Sequence, residues 1–330
     1  MGIWLLAILV LVAGGAMLFV LEKRRRRTHP VSGGLKPDIS LPHRQEFELY
    51  GNAFSHCSRK TRVVLAEFGI PYRHCHVDLI ETGSYGTLDP QFLRVNPAGL
   101  IPVLLHNGHP VYESDDILAY AAEVAGPEVP PLIPCEAAAR AEMGRWIDYL
   151  SLSSSDPMGD PERRLGACIP GLTLPLFATM IRYVPFHRIA VGLLFHYDRK
   201  RPAFFAMAKV LGAHRALRLK PVRALIEAGR GPMRDHLQKV EAAFAGGAGP
   251  WLLGRQFTLA DISLACALLR LEETGWLAKF ADADGLPATL SYYDRVRARP
   301  SWKAAIEQVR HPLVDKGVAD LRASALLAPW

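Results

Sequence analysis

Two different spacings of apolar residues in the first half of the chain predict a small α/β unit. From Glu46 to Tyr50 charged and apolar residues alternate, which is typical of a half-buried strand. Gly51 and Asn52 end that pattern, and Arg59 to Phe68 carries apolar residues at helical spacing. Arg73 to Leu79 alternates again. A strand, a helix and a strand in so short a span predict a right-handed parallel βαβ unit.

The following segment predicts a hairpin and then a helix. Val103 to Leu105 and Pro110 to Tyr112 are short apolar runs separated by a loop that contains Asn107-Gly108, a strong local signal for a tight β-turn. Ser114 then precedes apolar residues at helical spacing, with two aspartates in the first turn. It is therefore predicted to be the N-cap of that helix.

The N-terminal region predicts a membrane anchor. Ile3 to Leu21 contains no charged residue and is about long enough to cross ~30 Å of hydrocarbon. The basic block from Lys23 to Arg27 follows the apolar run, whereas a cleaved signal peptide has its basic residues first. Because excess Lys and Arg mark the cytoplasmic side, we expect a single-pass protein whose body faces the cytoplasm.

The second half of the chain has mainly helical spacing, with a long insertion from about residue 152 to residue 233. Leu172 to Phe195 is apolar but is interrupted by charges and prolines, so a second membrane span is not predicted. Basic residues follow it. Two interpretations stay open: a segment that rests on anionic lipid, or a pair of core helices with solvated basic faces. Farther on, Thr258 and Asp261 have the spacing of a capping box.

Composition narrows the class of protein. Half of the residues are hydrophobic and 22% are charged, as in a globular protein. Five scattered cysteines without metal-ligand spacing predict neither a disulfide framework nor a metal site. The net charge of +7 is concentrated in two segments, so binding of nucleic acid by the folded body is not expected.

The candidate chemistry lies where the first strand meets the first helix. Ser55 and Cys57 fall at that helix N-terminus, where unpaired N–H groups and the helix dipole favour negative charge. A thiolate placed there is stabilised, and a cysteine there is expected to have a lowered pKa. The residues themselves also allow a plain helix cap for Ser55 and a small buried hydrophobe for Cys57.

The order βαβ, loop, ββα, with Ile101-Pro102 before the third strand and Glu113-Ser114 at the start of the last helix, resembles the thioredoxin-like domain of glutathione transferases. The resemblance implies a cis peptide bond at Pro102, which exposes the backbone of Ile101 to the cysteinyl part of glutathione. It also implies that Glu113 and Ser114 hold the γ-glutamyl end. Without the resemblance, Pro102 could equally be an ordinary trans proline.

The motif from Phe54 to Arg62 resembles that of the zeta-class isomerases and, most closely, that of the tetrachlorohydroquinone reductive dehalogenases. The resemblance implies that Ser55 donates a hydrogen bond to the glutathione sulfur. It also implies that Cys57 forms a mixed disulfide with glutathione. The long insertion is similar to that of the ganglioside-induced differentiation-associated proteins, which are membrane-bound relatives.

The expected fold is an α/β thioredoxin-like N-terminal domain and an all-α C-terminal domain, preceded by one transmembrane helix. The predicted segments are an anchor over 1–27, a tether over 28–45, the first domain over 46–125, a linker over 126–134, the helical domain over 135–310 and a tail over 311–330. The expected function is attack of the glutathione thiolate on a small electrophile, extended to reductive dehalogenation or thiol exchange if Cys57 takes part. The sequence does not fix the oligomeric state, and the resemblance to a family whose members are often dimers allows a homodimer. The alternative is a non-catalytic membrane adaptor with the same fold.

Overall fold

The computed structural model describes residues 2–126, 129, 131–152, 156–247 and 249–330. The first domain contains a five-stranded sheet in the order β1-β5-β4-β2-β3. The strands are β1 (Gly34–Leu35), β2 (Phe47–Gly51), β3 (Arg73–His76), β4 (Val103–His106) and β5 (His109–Tyr112). β2 and β3 are parallel and the remaining pairs are antiparallel.

Fifteen α-helices lie in the part of the chain that the structure describes. They are α1 (Gly2–Arg25), α2 (His56–Glu67), α3 (Phe92–Val95), α4 (Ser114–Val124), α5 (Ala137–Leu150), α6 (Leu165–Met180), α7 (Phe186–Phe195), α8 (Lys200–Leu211), α9 (Ala213–Arg218), α10 (Lys220–Ala245), α11 (Leu259–Glu273), α12 (Trp276–Asp284), α13 (Pro287–Arg297), α14 (Pro300–Trp302) and α15 (Pro312–Ala323). A π-helical turn follows α14.

The predicted βαβ unit and the hairpin are confirmed. β2, α2 and β3 follow one another, and Glu48 to Gly51 align in parallel with Arg73 to His76. Asn107 and Gly108 join β4 to β5 with φ values of 50° and 84°. Left-handed conformations at both positions are those of the tight turn that Asn-Gly favours.

Two helix starts differ from the prediction. α2 begins at His56 rather than at Arg59, with Ser55 as its N-cap. Ser114 is the first residue of α4, and Glu113 is the N-cap with a φ of 63° and no capping hydrogen bond from its side chain. The prediction of Ser114 as the cap is therefore wrong by one residue, because the left-handed backbone at Glu113 lets the helix begin immediately after it.

The segment predicted as a tether is folded onto the first domain. β1 pairs with β5 at the edge of the sheet, which aligns Gly34 with Tyr112. The N–H of His29 donates to the carbonyl of Pro97 at 2.8 Å, and Val31 packs against the apolar cluster beneath the sheet. The connection to α1 is therefore part of the domain surface.

The insertion contains both a core helix and an exposed region. α6 is almost entirely buried and packs on α10 and α15, so its apolar residues belong to the protein core. Arg201 on α8 pairs with the buried Glu81 of the first domain and lies over the ring of Phe177. The insertion thereby contacts both domains.

Two predicted boundaries also differ from the helices of the structure. α10 runs unbroken through residue 233, where the insertion was predicted to end. The tail after residue 310 forms α15, which packs on α6. Residues 127, 128 and 130 of the predicted linker lie outside the described residues.

Among the residues that the structure describes, two helices are long and apolar enough to cross a membrane. The segment Trp4–Arg25 has a mean hydropathy of 2.7 and is not buried by the rest of the protein. The segment Leu165–Tyr183 has a mean hydropathy of 1.4 and is 78% buried. The second therefore has the character of a core helix.

Candidate active site

Ser55 occupies the junction that the sequence predicted, between the end of β2 and the start of α2. Its backbone is extended, and its hydroxyl oxygen accepts the N–H of Ser58 at 3.2 Å. Accepting this bond uses a lone pair and leaves the hydroxyl hydrogen able to donate. Capping and donation to a nearby thiolate are therefore compatible roles for one hydroxyl group.

The turn that carries Ser55 is held by buried polar groups. The side-chain amide of Asn52 donates to the carbonyl of Val77 and to the hydroxyl of Thr82, both at 2.9 Å. Its carbonyl oxygen accepts the N–H of Phe54 at 2.9 Å. Asn52 thus fixes the turn against the segment that follows β3.

Two arginines hold the same turn from the other side. Arg59 donates to the carbonyl of Ala53 at 2.9 Å, and Arg270 donates to the carbonyl of Phe54 and lies over its ring. The carboxylate of Glu273 joins them, since it accepts two N–H groups of Arg59 at 2.8 and 2.6 Å and lies 3.3 Å from Nε of Arg270. Helix α11 therefore helps to position the residue immediately before Ser55.

An ion pair between a buried lysine and a partly exposed aspartate joins the starts of α2 and α4. Lys60 is fully buried, pairs with Asp115, and donates to the hydroxyl of Ser151 at 3.0 Å. Burial alone would lower the pKa of Lys60, but Asp115 reverses this effect and raises it. Lys60 therefore offsets the charge of one of the two aspartates in the first turn of α4, whose N-terminal N–H groups are the kind that bind an anion.

Cys57 lies between these two helix starts, beside Ser114. Burial raises the pKa of its thiol, and Lys60 and the Ser114 hydroxyl only partly oppose this effect. The expectation of a lowered pKa is therefore wrong. The helix N-terminus does favour a thiolate, but loss of hydration outweighs that contribution.

The loop before β4 presents backbone groups next to this region. The Ile101-Pro102 peptide bond is cis, as the resemblance implied. Within the described part of the chain, neither the N–H nor the C=O of Ile101 makes a backbone hydrogen bond. A peptide-like ligand could use both groups, while Ser114 at the start of α4 presents a hydroxyl and an N–H.

His56 and a histidine cluster are features that the sequence did not assign. Both ring nitrogens of His56 are buried without a hydrogen-bond partner among the described residues, and burial holds its pKa well below the ordinary value. The ligand atoms of His76, Asp78 and His311 lie within 4.8 Å of one another. However, Nδ1 of His311 accepts the N–H of Leu313, which places the proton of the neutral ring on Nε2. The cluster therefore offers a cation few free lone pairs.

Comparison with known proteins is consistent with this arrangement. The family model for the glutathione S-transferase N-terminal domain matches residues 54–124, and the one for the C-terminal domain matches residues 223–295. Both domains of the chain therefore contain a region similar to the corresponding domain of glutathione S-transferases. The two matched regions contain Ser55, Cys57, the Ile101-Pro102 loop and the capping box.

The chain is similar to curated proteins of three named kinds. It is 29% identical to glutathione S-transferase TCHQD of Arabidopsis thaliana over 78% of this chain and 89% of that protein. It is 25% identical to the 2,5-dichlorohydroquinone reductive dechlorinase of Sphingobium indicum, over 79% and 82%. It is also 25% identical to the human ganglioside-induced differentiation-associated protein 1-like 1, over 82% and 76%.

Solved structures share the transferase fold. The β-etherase LigF of Sphingobium sp. strain SYK-6 superposes with a TM-score of 0.64 at 19% identity, covering 80% of this chain and all of that one. Glutathione S-transferase III superposes with a TM-score of 0.54 at 23% identity, covering 81% and 99%. These similarities confirm the predicted pair of thioredoxin-like and helical domains.

Proposed function

We propose that this protein is a glutathione transferase-like enzyme that uses glutathione as its co-substrate. The proposal is carried by one observation: the hydroxyl of Ser55 caps α2 in a firmly held turn and can still donate. We propose that backbone groups of Ile101 and the start of α4, with Glu113 and Ser114, hold the peptide part of glutathione. Similarity to glutathione S-transferases in both domains supports the same conclusion.

The proposed chemistry is attack of a thiolate on an electrophilic small molecule. The thiol of glutathione loses its proton to solvent, and the Ser55 hydroxyl and the N-terminus of α2 stabilise the resulting charge. The sulfur then forms a bond to the electrophilic carbon, and the leaving group departs with its electron pair. The helical domain supplies the other wall of the site.

Replacement of Ser55 by Ala tests this role. Loss of one positioned hydrogen-bond donor to a negatively charged reacting group typically lowers the rate by a factor of about 10²–10³. We therefore expect kcat/KM for conjugation of 1-chloro-2,4-dinitrobenzene to fall by about that factor. The pKa of enzyme-bound glutathione should rise, which the thiolate absorbance measures. Ser291→Ala on α13 is the matched control. Equal conjugation by both variants would refute the role of Ser55.

Cys57 carries the proposed extension to reductive chemistry. In that reaction the Cys57 thiolate attacks the sulfur of a glutathione–substrate conjugate, the carbon leaves with the electron pair and takes a proton, and a second glutathione reduces the mixed disulfide. The name of the Sphingobium relative supports this extension, whereas the raised pKa of Cys57 does not favour it. Cys57→Ser should abolish formation of the dechlorinated hydroquinone and let the glutathione conjugate accumulate, because conjugation, which releases the chloride, does not need Cys57. An unchanged yield of the dechlorinated hydroquinone would assign Cys57 to packing.

We further propose that α1 crosses the membrane and that the body faces the cytoplasm. The apolar run, its exposure to solvent in the isolated chain and the basic block after it support this arrangement. A chain anchored in this way should resist extraction from membranes by alkaline carbonate. Release into the carbonate supernatant would contradict the anchor.

The competing function is a non-catalytic adaptor that keeps the fold, and the basic insertion is the feature that favours it. Titration calorimetry with glutathione at millimolar concentration separates the two functions. Binding that Ser114→Ala weakens would support the enzyme, and an absence of binding heat would support the adaptor.

A further inference from the structure

The end of α1 is in contact with the insertion. The ring of Phe19 lies 5.6 Å from the ring of Phe195 at the end of α7, and the guanidinium of Arg26 lies 5.7 Å from the same ring. Arg26 also donates to the carbonyl of Leu88 in the first domain at 3.1 Å. These contacts fix the position of α7 relative to α1.

The depth of this contact follows from helix geometry. Phe19 precedes the first basic residue of the stop, Lys23, by four residues, which is about 6 Å along a helix that rises 1.5 Å per residue. Phe195 packs at that level. If Lys23 lies among the headgroups, the end of α7 therefore lies at the boundary between the headgroups and the hydrocarbon.

The helices next to this contact expose apolar side chains. Outside α1, ten large hydrophobic residues are exposed in the described part of the chain, and seven of them lie between residues 186 and 225. The seven are Phe186, Leu194, Tyr197, Val210, Leu211, Leu219 and Leu225. A soluble body rarely concentrates exposed apolar residues in one continuous segment without a partner.

The same segment carries basic residues without counter-ions. It contains nine Lys and Arg residues and one acidic residue, Asp198. Among the described residues, only Arg201 of the nine forms an ion pair, with Glu81. Arg215, Arg218 and Lys220 form none. Apolar side chains mixed with unpaired basic groups are the combination that binds the interface of an anionic bilayer.

We propose that residues 186–225, from α7 to the start of α10, form a surface that lies against the membrane and binds anionic lipid headgroups. This inference rests on the membrane anchor proposed above. The anchor places the segment at the bilayer, the apolar residues enter the interface, and the basic residues contact phosphate groups.

Hydroxyl-radical footprinting of the full chain in lipid nanodiscs tests this surface. The discs contain phosphatidylcholine alone or a mixture with phosphatidylglycerol, and the readout is oxidation of Tyr197 and Val210 relative to Trp146 on α5. We expect several-fold lower oxidation of both residues in the anionic discs. The double substitution Arg215→Glu and Arg218→Glu should remove this protection.

The matched control is the double substitution Arg140→Glu and Arg255→Glu, which changes the net charge equally at exposed positions outside the segment and should leave the protection intact. If the chain co-elutes with the discs but Tyr197 and Val210 are oxidised equally in neutral and anionic discs, the proposed surface is wrong. A chain that does not co-elute with discs would overturn both the anchor and the surface. Neither result bears on conjugation of glutathione, which the Ser55 variants test separately.

Discussion

Replacement of Glu273 by Gln should be among the most damaging single changes near the site. The Glu273 carboxylate is 13% exposed and accepts both N–H groups of Arg59, whose side chain is 6% exposed. Arg270, also buried, is the second cation at this carboxylate. The amide of glutamine keeps the shape but removes the charge. Two buried guanidinium groups would then lie together without an anion.

The magnitude follows from the burial of the pair. Removal of one partner from a buried ion pair costs about 3–5 kcal/mol, because the remaining charge stays desolvated. The neighbouring Glu272 provides a matched control, since it pairs with Arg297 at the surface with side-chain exposures of 32% and 44%. Glu272→Gln should cost about 0–1 kcal/mol.

The dependence on pH has a definite sign. Burial alone would raise the pKa of Glu273, but Arg59 and Arg270 lower it below the ordinary value. The stabilisation is therefore complete above the pKa of glutamate in the unfolded chain, and it is lost as the pH falls through the lower folded pKa. Glu273→Gln should lack this loss in acid.

The assay is urea unfolding of the detergent-solubilised full chain at pH 7, followed by tryptophan fluorescence. The free energy of unfolding should fall about 3 kcal/mol further for Glu273→Gln than for Glu272→Gln. Conjugation should fall as well, because both arginines hold the turn before Ser55. A difference below about 1 kcal/mol between the variants would refute the assigned energy of the cluster.

Three further outcomes follow from buried groups. Iodoacetamide at pH 7.5 should modify exposed Cys135 well before Cys57, whose thiol has a raised pKa, and peptide mapping would contradict this if Cys57 reacts first. Thr258→Ala removes the buried cap of α11 and should lower the free energy of unfolding in urea by about 1–2 kcal/mol. An unchanged free energy of unfolding would show that the capping box does not stabilise the protein. Gly192→Ala places a Cβ about 2.3 Å from the ring of Tyr85 and should cost about 1–3 kcal/mol by overpacking; unchanged stability would show that α7 can move away from Tyr85.

Local patterns were sufficient to predict the first domain. Alternation identified β2, the Asn-Gly pair identified the β4–β5 turn, and the βαβ order placed Ser55 at a helix start. These features depend on neighbouring residues, whose preferences are visible in the sequence. The spacing of Thr258 and Asp261 likewise predicted the capping box that the structure confirms.

The environment of α2 could not be predicted in the same way. Arg59, Lys60 and Arg62 resemble a solvated basic face, yet all three are buried, because α4, α11 and the turn after α14 cover the helix. Their partners are distant in sequence: Glu273 for Arg59, and the carbonyl of Ala305 for Arg62. Only the assembled fold brings these groups together.

The burial of Cys57 has the same origin. A position at a helix N-terminus lowers the pKa of a thiol, and the sequence supports that expectation. The structure adds loss of hydration beneath α4, which acts in the opposite direction and is larger. The effect of burial on the pKa of a thiol depends on the surrounding fold, so the position of Cys57 in the sequence motif does not reveal it.

The folded connection between α1 and the first domain has a consequence for how reactants arrive. The N–H of His29 bonds to the carbonyl of Pro97, in the loop that precedes Ile101 and Pro102. His29 follows Arg27, the last residue of the basic block, by two residues, which span at most about 7 Å of extended chain. With α1 in the bilayer, the body cannot swing freely, as it would on a flexible connection, and the site keeps a nearly constant height above the lipid. If α1 crosses the bilayer as proposed, an electrophile that leaves the membrane near the protein would have only this short, constant distance to cover before it reaches the site.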